Sequence, residues 1–195
     1  MSSSRGKLHG PEGPITGDQF AEFVIEHEDD VGRYELVAGR VVPVSPPPVK
    51  HSFLQARLAL ELGVFCKDCR TCWILTELGV YTRRRPDTIR VPDLAVVSRA
   101  RLPSIDDEKH WLMVTPELLI EVLSTSDRWK YIQKKIGEYQ KLGVEYLWLV
   151  DPTHRNVTAY HGDRIARYQA HETLKGEGLL ERFSLPLETL FTFTP

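Results

Sequence analysis

What this sequence lacks narrows it first. Its longest apolar runs are far too short to span a bilayer, so the membrane is not expected as a partner. No charged segment followed by an apolar one opens the chain, so a secretory signal is not expected and a cytoplasmic location is the default. Net charge is only −2, which excludes a protein that coats nucleic acid indiscriminately. Any nucleic-acid contact needs a local patch. Arg83, Arg84, Arg85 and Arg90, with Arg99 and Arg101 nearby, are one candidate; a solvated loop is the plain alternative. No P-loop, nucleophile elbow or dinucleotide fingerprint is present, which removes the commonest nucleotide and acyl-transfer chemistries. Internal repeats, linkers and a second composition zone are also missing. The 195 residues suffice for one domain with a sizeable core.

Cysteine is scarce too. Cys66, Cys69 and Cys72 have C-x₂-C-x₂-C spacing, but an iron–sulfur run needs a fourth cysteine and a zinc site a fourth ligand. Three reduced thiols at a helix end are expected in a cytosolic chain, with a cysteine-based metal or redox role as the alternative. The remaining histidines, His110, His154, His161 and His171 among them, form no visible ligand set.

What is present concentrates between Val91 and Tyr146. Three segments there each carry one ionisable residue where pattern calls for an apolar one. In LLIEVL, Glu121 is flanked by apolar residues, as in a strand buried on both faces. An isolated carboxylate there is unfavourable by several kcal/mol, on the order of a buried unpaired charge, unless a cation or proton compensates it. Asp93 sits between Val91-Pro92 and the run LAVV, near a strand start. It either joins Glu121 at a shared cation or faces an arginine or water at a strand end. The segment from Asp127 to Leu142 predicts a helix whose polar ridge is Asp127, Lys130, Lys134, Glu138 and Lys141. Lys135 lies instead with Tyr131, Ile132, Tyr139 and Leu142 on the packing face. A lysine there either snorkels outward along its stem or meets an acidic site.

The rest reads as scaffold. Residues 1–14 are Ser-, Gly- and Pro-rich and are expected to be disordered, with a single domain over residues 15–195. Thr16 and Gln19 have capping-box spacing for a first helix, with Phe20, Phe23, Val24 and His27 inside. Tyr34–Val37 and Val41–Val44 predict a hairpin; Glu35 alternates with its apolar positions, and its face depends on register. A second helix over Val49–Phe65 would bury Phe53, Leu54, Leu58 and Leu62, with His51 in its first turn. Strands follow at Trp73–Thr76, Gly79–Thr82, Leu94–Val97, Leu118–Leu123 and Glu145–Val150, then a hairpin of Val157–Tyr160 and Ile165–Tyr168. Residues 101–110 read as a loop or short helix, and Leu185–Phe193 as a closing helix or extended segment. This order predicts an α/β or α+β fold, a mixed sheet flanked by helices.

Two carboxylates converging from adjacent strands suit Mg²⁺ or Mn²⁺, and a neighbouring lysine suits a developing oxyanion, so the set fits phosphodiester hydrolysis. A paired-carboxylate glycosidase would call instead for an aromatic-lined sugar cleft.

Several segments together resemble the Uma-two family of restriction-endonuclease-like proteins, which have the PD-(D/E)XK nuclease fold. They are Tyr34-Glu35-Leu36, Ser45-Pro46-Pro47-Pro48 with His51, Pro92-Asp93, Glu121-Val122-Leu123-Ser124, Lys135 with Tyr139, Gly143-Val144, and Tyr146 through Pro152. The resemblance covers roughly Glu22 to Phe193. It implies a mixed sheet flanked by helices and a Mg²⁺-type (or Mn²⁺) endonuclease acting on DNA. It implies Asp93 and Glu121 as metal ligands, Lys135 as the catalytic lysine, Glu35 as an additional acidic residue, and His51 as a pocket residue. Tyr139 could hydrogen-bond the site or simply anchor packing. In the general nuclease pattern the lysine follows the acid by two positions; here that position is Leu123, and the resemblance implies migration to Lys135 on the next helix. A nuclease-like domain that binds DNA or a protein partner without cutting is the competing expectation. Cutting both strands would fit a homodimer with two-fold symmetry.

Overall fold

The computed structural model describes residues 11, 13–28, 33–105, 110–125 and 127–193. The disordered segment expected at residues 1–14 therefore falls almost wholly outside the described residues, as do residues 106–109 of the expected loop or short helix.

Helix α1 (Gly17–Glu26) begins at the expected capping box: Thr16 Oγ1 accepts from the Gln19 amide, and the Gln19 side chain accepts from the Thr16 amide. It packs Phe20 and Phe23 on a four-stranded antiparallel sheet ordered β2-β1-β5-β4. Its strands are β1 (Arg33–Val37), β2 (Arg40–Val44), β4 (Val80–Arg83) and β5 (Thr88–Arg90). The β1–β2 hairpin turns on Ala38 and Gly39, both at positive φ, as a two-residue turn of matching twist requires.

The second sheet is six-stranded, β10-β9-β8-β7-β6-β3, and mixed. It comprises β3 (Cys72–Thr76), β6 (Leu94–Ser98), β7 (Leu118–Val122), β8 (Tyr146–Asp151), β9 (Asn156–His161) and β10 (Arg164–Gln169). Only β7 and β8 run parallel, joined through helix α3 (Trp129–Leu142). Gly143, at φ 86°, caps α3 in the left-handed conformation that glycine adopts without steric penalty.

The sheet alternates with period two. Leu94, Val96, Leu118, Ile120, Val122, Trp148 and Val150 face helix α2 (Val49–Cys69) and the C-terminal segment. Ala95, Val97, Leu119, Leu147 and Leu149 face Ile132, Ile136 and Tyr139 of α3. That C-terminal segment pairs two short strands, β11 (Thr173–Lys175) and β12 (Ser184–Pro186), and ends in the single-turn α4 (Leu187–Leu190).

Four local expectations change. Helix α2 runs to Cys69 rather than Phe65, and Phe53 stands half-exposed at its edge instead of in the core. Strand β5 emerges from a stretch that read as an arginine-rich loop. Cys66 and Cys72 form a disulfide and Cys69 is free, so the trio is not three reduced thiols. The chain reverses at Arg70, in the left-handed conformation, which brings the start of β3 back against the last turns of α2.

Candidate active site

Asp93, Glu121 and Lys135 meet in one place. The β6–β7 register pairs Leu94 with Ile120; continuing it by one residue sets Asp93 opposite Glu121. Both belong to the set of alternating positions that faces α3. The Asp93 carboxylate is held twice, by the Val122 amide (2.7 Å) and by His51 Nε2 (3.2 Å) from the first turn of α2. His51 is buried, and its other ring nitrogen, Nδ1, has no hydrogen-bond partner among the described residues.

Lys135 approaches from α3, as its place on the packing face predicted. Its ammonium contacts both Glu121 oxygens, at 2.7 and 2.9 Å, and Glu35 Oε1 at 3.1 Å. Tyr139, one turn further along and fully buried, donates to Glu121 Oε1 at 2.6 Å. Tyr139 does not line the cleft; it supports Glu121 from within the core.

The open register question at Glu35 resolves inward: its side chain is buried and both oxygens are engaged. Oε1 accepts from the Val91 amide and Lys135; Oε2 accepts from Arg90 Nη1 (2.7 Å) and the Tyr131 hydroxyl. Arg90 is completely buried and also binds Glu138 through Nε at 2.6 Å. By sequence Arg90 is a candidate for a basic patch or a solvated loop and Glu138 for a solvent ridge; both instead belong to the network behind Lys135. The only hint was that Arg90 follows Ile89 in a short β-compatible run.

The proposed basic patch does not assemble. Arg83, Arg84 and Arg85 are exposed on the β4–β5 turn, which the Gly39 amide ties to the β1–β2 turn. That is the opposite end of β5 from Arg90 and the cleft. Arg99 stacks on Trp73, and Arg101 pairs with Glu117 and Glu145.

A cleft of about 410 Å³ opens over this network. Glu35, His51, Asp93, Glu121 and Lys135 lie in its wall, with residues 42–47 on one side and Ser124, Asp127, Arg128 and Tyr131 on the other.

Electrostatics follow from burial. Burial pushes the Glu121 carboxyl well above the usual carboxylate range, and the charge of Asp93 adds to this against the opposing pull of Lys135. Burial acts the same way on Glu35, but Lys135 and Arg90 together outweigh it and hold that carboxyl down at about 2. Burial disfavours the Lys135 ammonium; Glu121 and Glu35 more than offset it, so Lys135 stays charged. Glu35 and Glu121 thus share Lys135, Arg90 pairs with Glu35 and Glu138, and Asp93 is met by His51 and the Val122 amide. A cleft with two carboxyl groups opposite one another in its wall fits a hard divalent cation. Asp93 and Glu121 are the residues whose oxygens could hold one, with water in the other positions, as Mg²⁺ usually allows.

Among the described residues no helix is long and apolar enough to cross a membrane. The sequence is 28% identical over 157 residues to the uncharacterized protein sll1609 of Synechocystis sp., covering 74% of this chain and 81% of that one. The fold matches the crystal structure of a putative nuclease belonging to DUF820 from Anabaena variabilis, with a TM-score of 0.76, 22% identity, and coverage of 91% of this chain and 98% of that chain. The model of the Uma2 family, described as putative restriction endonuclease, matches residues 18–190. With nearly the whole described chain inside that match, the protein belongs to the Uma2 family of nuclease-like proteins.

Proposed function

We propose that the protein is a metal-dependent endonuclease that hydrolyses DNA phosphodiester bonds. The observation that carries this reading is the convergence of Asp93, Glu121 and Lys135 in one cleft from two strands and a helix. Asp93 and Glu121 are the residues to hold Mg²⁺ or Mn²⁺. Such an ion, when bound, neutralises phosphate charge and acidifies water.

The chain's own groups do the rest. Lys135 stays protonated, so it acts as a positive charge toward the developing phosphorane oxygens rather than as a base. Glu35 and Glu121 fix its ammonium from two sides, and Arg90 with Tyr131 fixes Glu35. Glu35 therefore serves Lys135 rather than an ion, because each of its oxygens already has two partners, whereas Glu121 Oε2 meets only Lys135 among the described residues. His51 and the Val122 amide orient Asp93; Tyr139 orients Glu121. Arg128, exposed at the rim, is placed to meet a backbone phosphate.

One observation favours a second reading, a nuclease-like domain that binds DNA or a protein partner without cutting. Lys135 occupies both oxygens of Glu121, which can satisfy that carboxylate with no metal. Plasmid and single-stranded DNA incubated with Mg²⁺ or Mn²⁺ separate the two readings. Wild type, Glu121→Gln and Lys135→Ala run side by side, each checked for folding. The nuclease reading expects metal-dependent cutting in wild type and its loss in both variants. Cutting that persists in both would rule out this site, and binding without cutting by folded wild type would support the second reading.

A further inference from the structure

The cysteine trio plays no part in the cleft chemistry, yet it is the one group of three or more His, Cys, Asp or Glu side chains among the described residues whose ligand atoms crowd together. The sulfurs of Cys66, Cys69 and Cys72 all lie within 4.8 Å of one another. A tetrahedral ion with metal–sulfur bonds near 2.3 Å sets its sulfurs about 3.8 Å apart. Cys66 and Cys72 are buried and Cys69 is half-buried, so the cluster has one side open to solvent.

The cluster sits at the C-terminal end of the 21-residue α2. The Cys69 Sγ donates to the Cys66 carbonyl and hydrogen-bonds the Thr71 hydroxyl. The backbone is also settled. The Arg70 amide closes on the Cys66 carbonyl, and the Arg99 amide ties the Thr71 carbonyl to the end of β6. The Cys66 and Cys72 Cα atoms are held 5.5 Å apart by α2 and β3, so rotation of side chains alone can exchange the disulfide for ligands.

We infer that Cys66, Cys69 and Cys72, once the Cys66–Cys72 disulfide is reduced, hold a thiophilic d¹⁰ cation, Zn²⁺ or Cu⁺, at the end of α2. Three soft thiolates select such ions over Mg²⁺. Zn²⁺ would complete its four positions with water; Cu⁺ is content with three sulfurs. The reduction is balanced by a dithiol, which gives two electrons and two protons to the Cys66–Cys72 bond and itself becomes a disulfide. As sulfur–metal bonds form, the three thiols release their protons to solvent. Oxidation of Cys66 and Cys72 by a disulfide reverses the reaction and expels the ion. The site is separate from the Asp93–Glu121 cleft and does not depend on the nuclease reading.

The test uses the full chain, reduced with a phosphine and titrated anaerobically. Co²⁺ serves as the coloured probe for the Zn²⁺ arm, and Cu⁺ is offered from a competing chelator. Thiolate-to-cobalt charge transfer is read, because carboxylate-bound Co²⁺ in the cleft does not produce it. The expected result is one equivalent of thiolate-bound ion in reduced wild type in at least one arm. That signal is lost in Cys69→Ser, a near-isosteric change at a half-buried position outside the disulfide, and in the oxidised protein. Circular dichroism confirms that every sample is folded. No thiolate-bound ion in reduced, folded wild type in either arm overturns the site. So does a signal unchanged by Cys69→Ser or by oxidation.

Discussion

The two faces of the six-stranded sheet follow the same alternation and serve opposite ends. The face toward α2 is apolar throughout: Leu94, Val96, Ile120, Val122 and Val150 close on Leu54, Leu58 and Leu62. The face toward α3 begins the same way, with Ala95, Leu119 and Leu149 on Ile132 and Ile136, but breaks at the cleft into Asp93, Glu121, Lys135 and Tyr139. The first face yields its full hydrophobic term. The second forgoes part of it to hold charges whose burial is unfavourable until they are paired. Stability and chemistry are thus divided between two sides of the same strands.

Breaking the charged face at its most buried cation should have the largest effect. Arg90→Met leaves Glu35 and Glu138 without their guanidinium, and denaturant unfolding should show a loss of about 3–5 kcal/mol. On the apolar face, Leu58→Ala should lower stability by about 2–5 kcal/mol while leaving metal affinity intact. If it also abolished metal binding, the two faces would not be separable. Metal itself sharpens the contrast. Mn²⁺ at a hundred times its dissociation constant should stabilise wild type by about 2.7 kcal/mol, and Asp93→Asn should lose that gain in thermal melts. Tyr139→Phe, which deletes one charge-assisted hydrogen bond to Glu121, should cost about 1.5–3 kcal/mol and lower turnover without altering DNA affinity.

The smallest effect lies outside both faces. Burial raises the Asp87 carboxyl, but the Tyr81 hydroxyl and the Gly17 amide outweigh it and hold its pKa below the ordinary value. Its contribution is present above the unfolded-state pKa and fades as pH falls through the lower folded-state pKa. Asp87→Asn should therefore lower stability slightly at neutral pH and converge with wild type as pH falls through the folded-state pKa, which flattens the acid limb of a denaturant-unfolding profile; the effect is small because the carboxylate is partly open to solvent.

The charged face was partly legible because its residues violate local pattern. Glu121 interrupts a strand that is otherwise apolar on both faces, and Lys135 falls on the wrong side of an amphipathic helix; each anomaly is visible within one element. Arg90 violates nothing locally. It follows a run of arginines that are exposed, and its burial depends on Glu35 from β1 and Glu138 from α3, 55 and 48 positions away. Glu138 misled for the complementary reason: it fits a solvent-facing ridge, and only the approach of β5 brings a guanidinium to it. The short strands β5, β11 and β12, three residues each, have no periodicity to read.

By itself, the sequence determined the alternation of the strands, the helix caps at Thr16 and Gly143, and the presence of misplaced charge in three segments, because each depends on a few neighbouring residues and backbone geometry. Only the tertiary structure decided that Asp93 stands opposite Glu121, that Glu35 turns inward, that Arg90 is core and that three sulfurs share one corner. Those outcomes rest on register and on contacts between distant segments. Registers one residue apart exchange every inward and outward side chain, and a strand that is apolar on both faces, such as β7, carries no alternation of its own to choose between them.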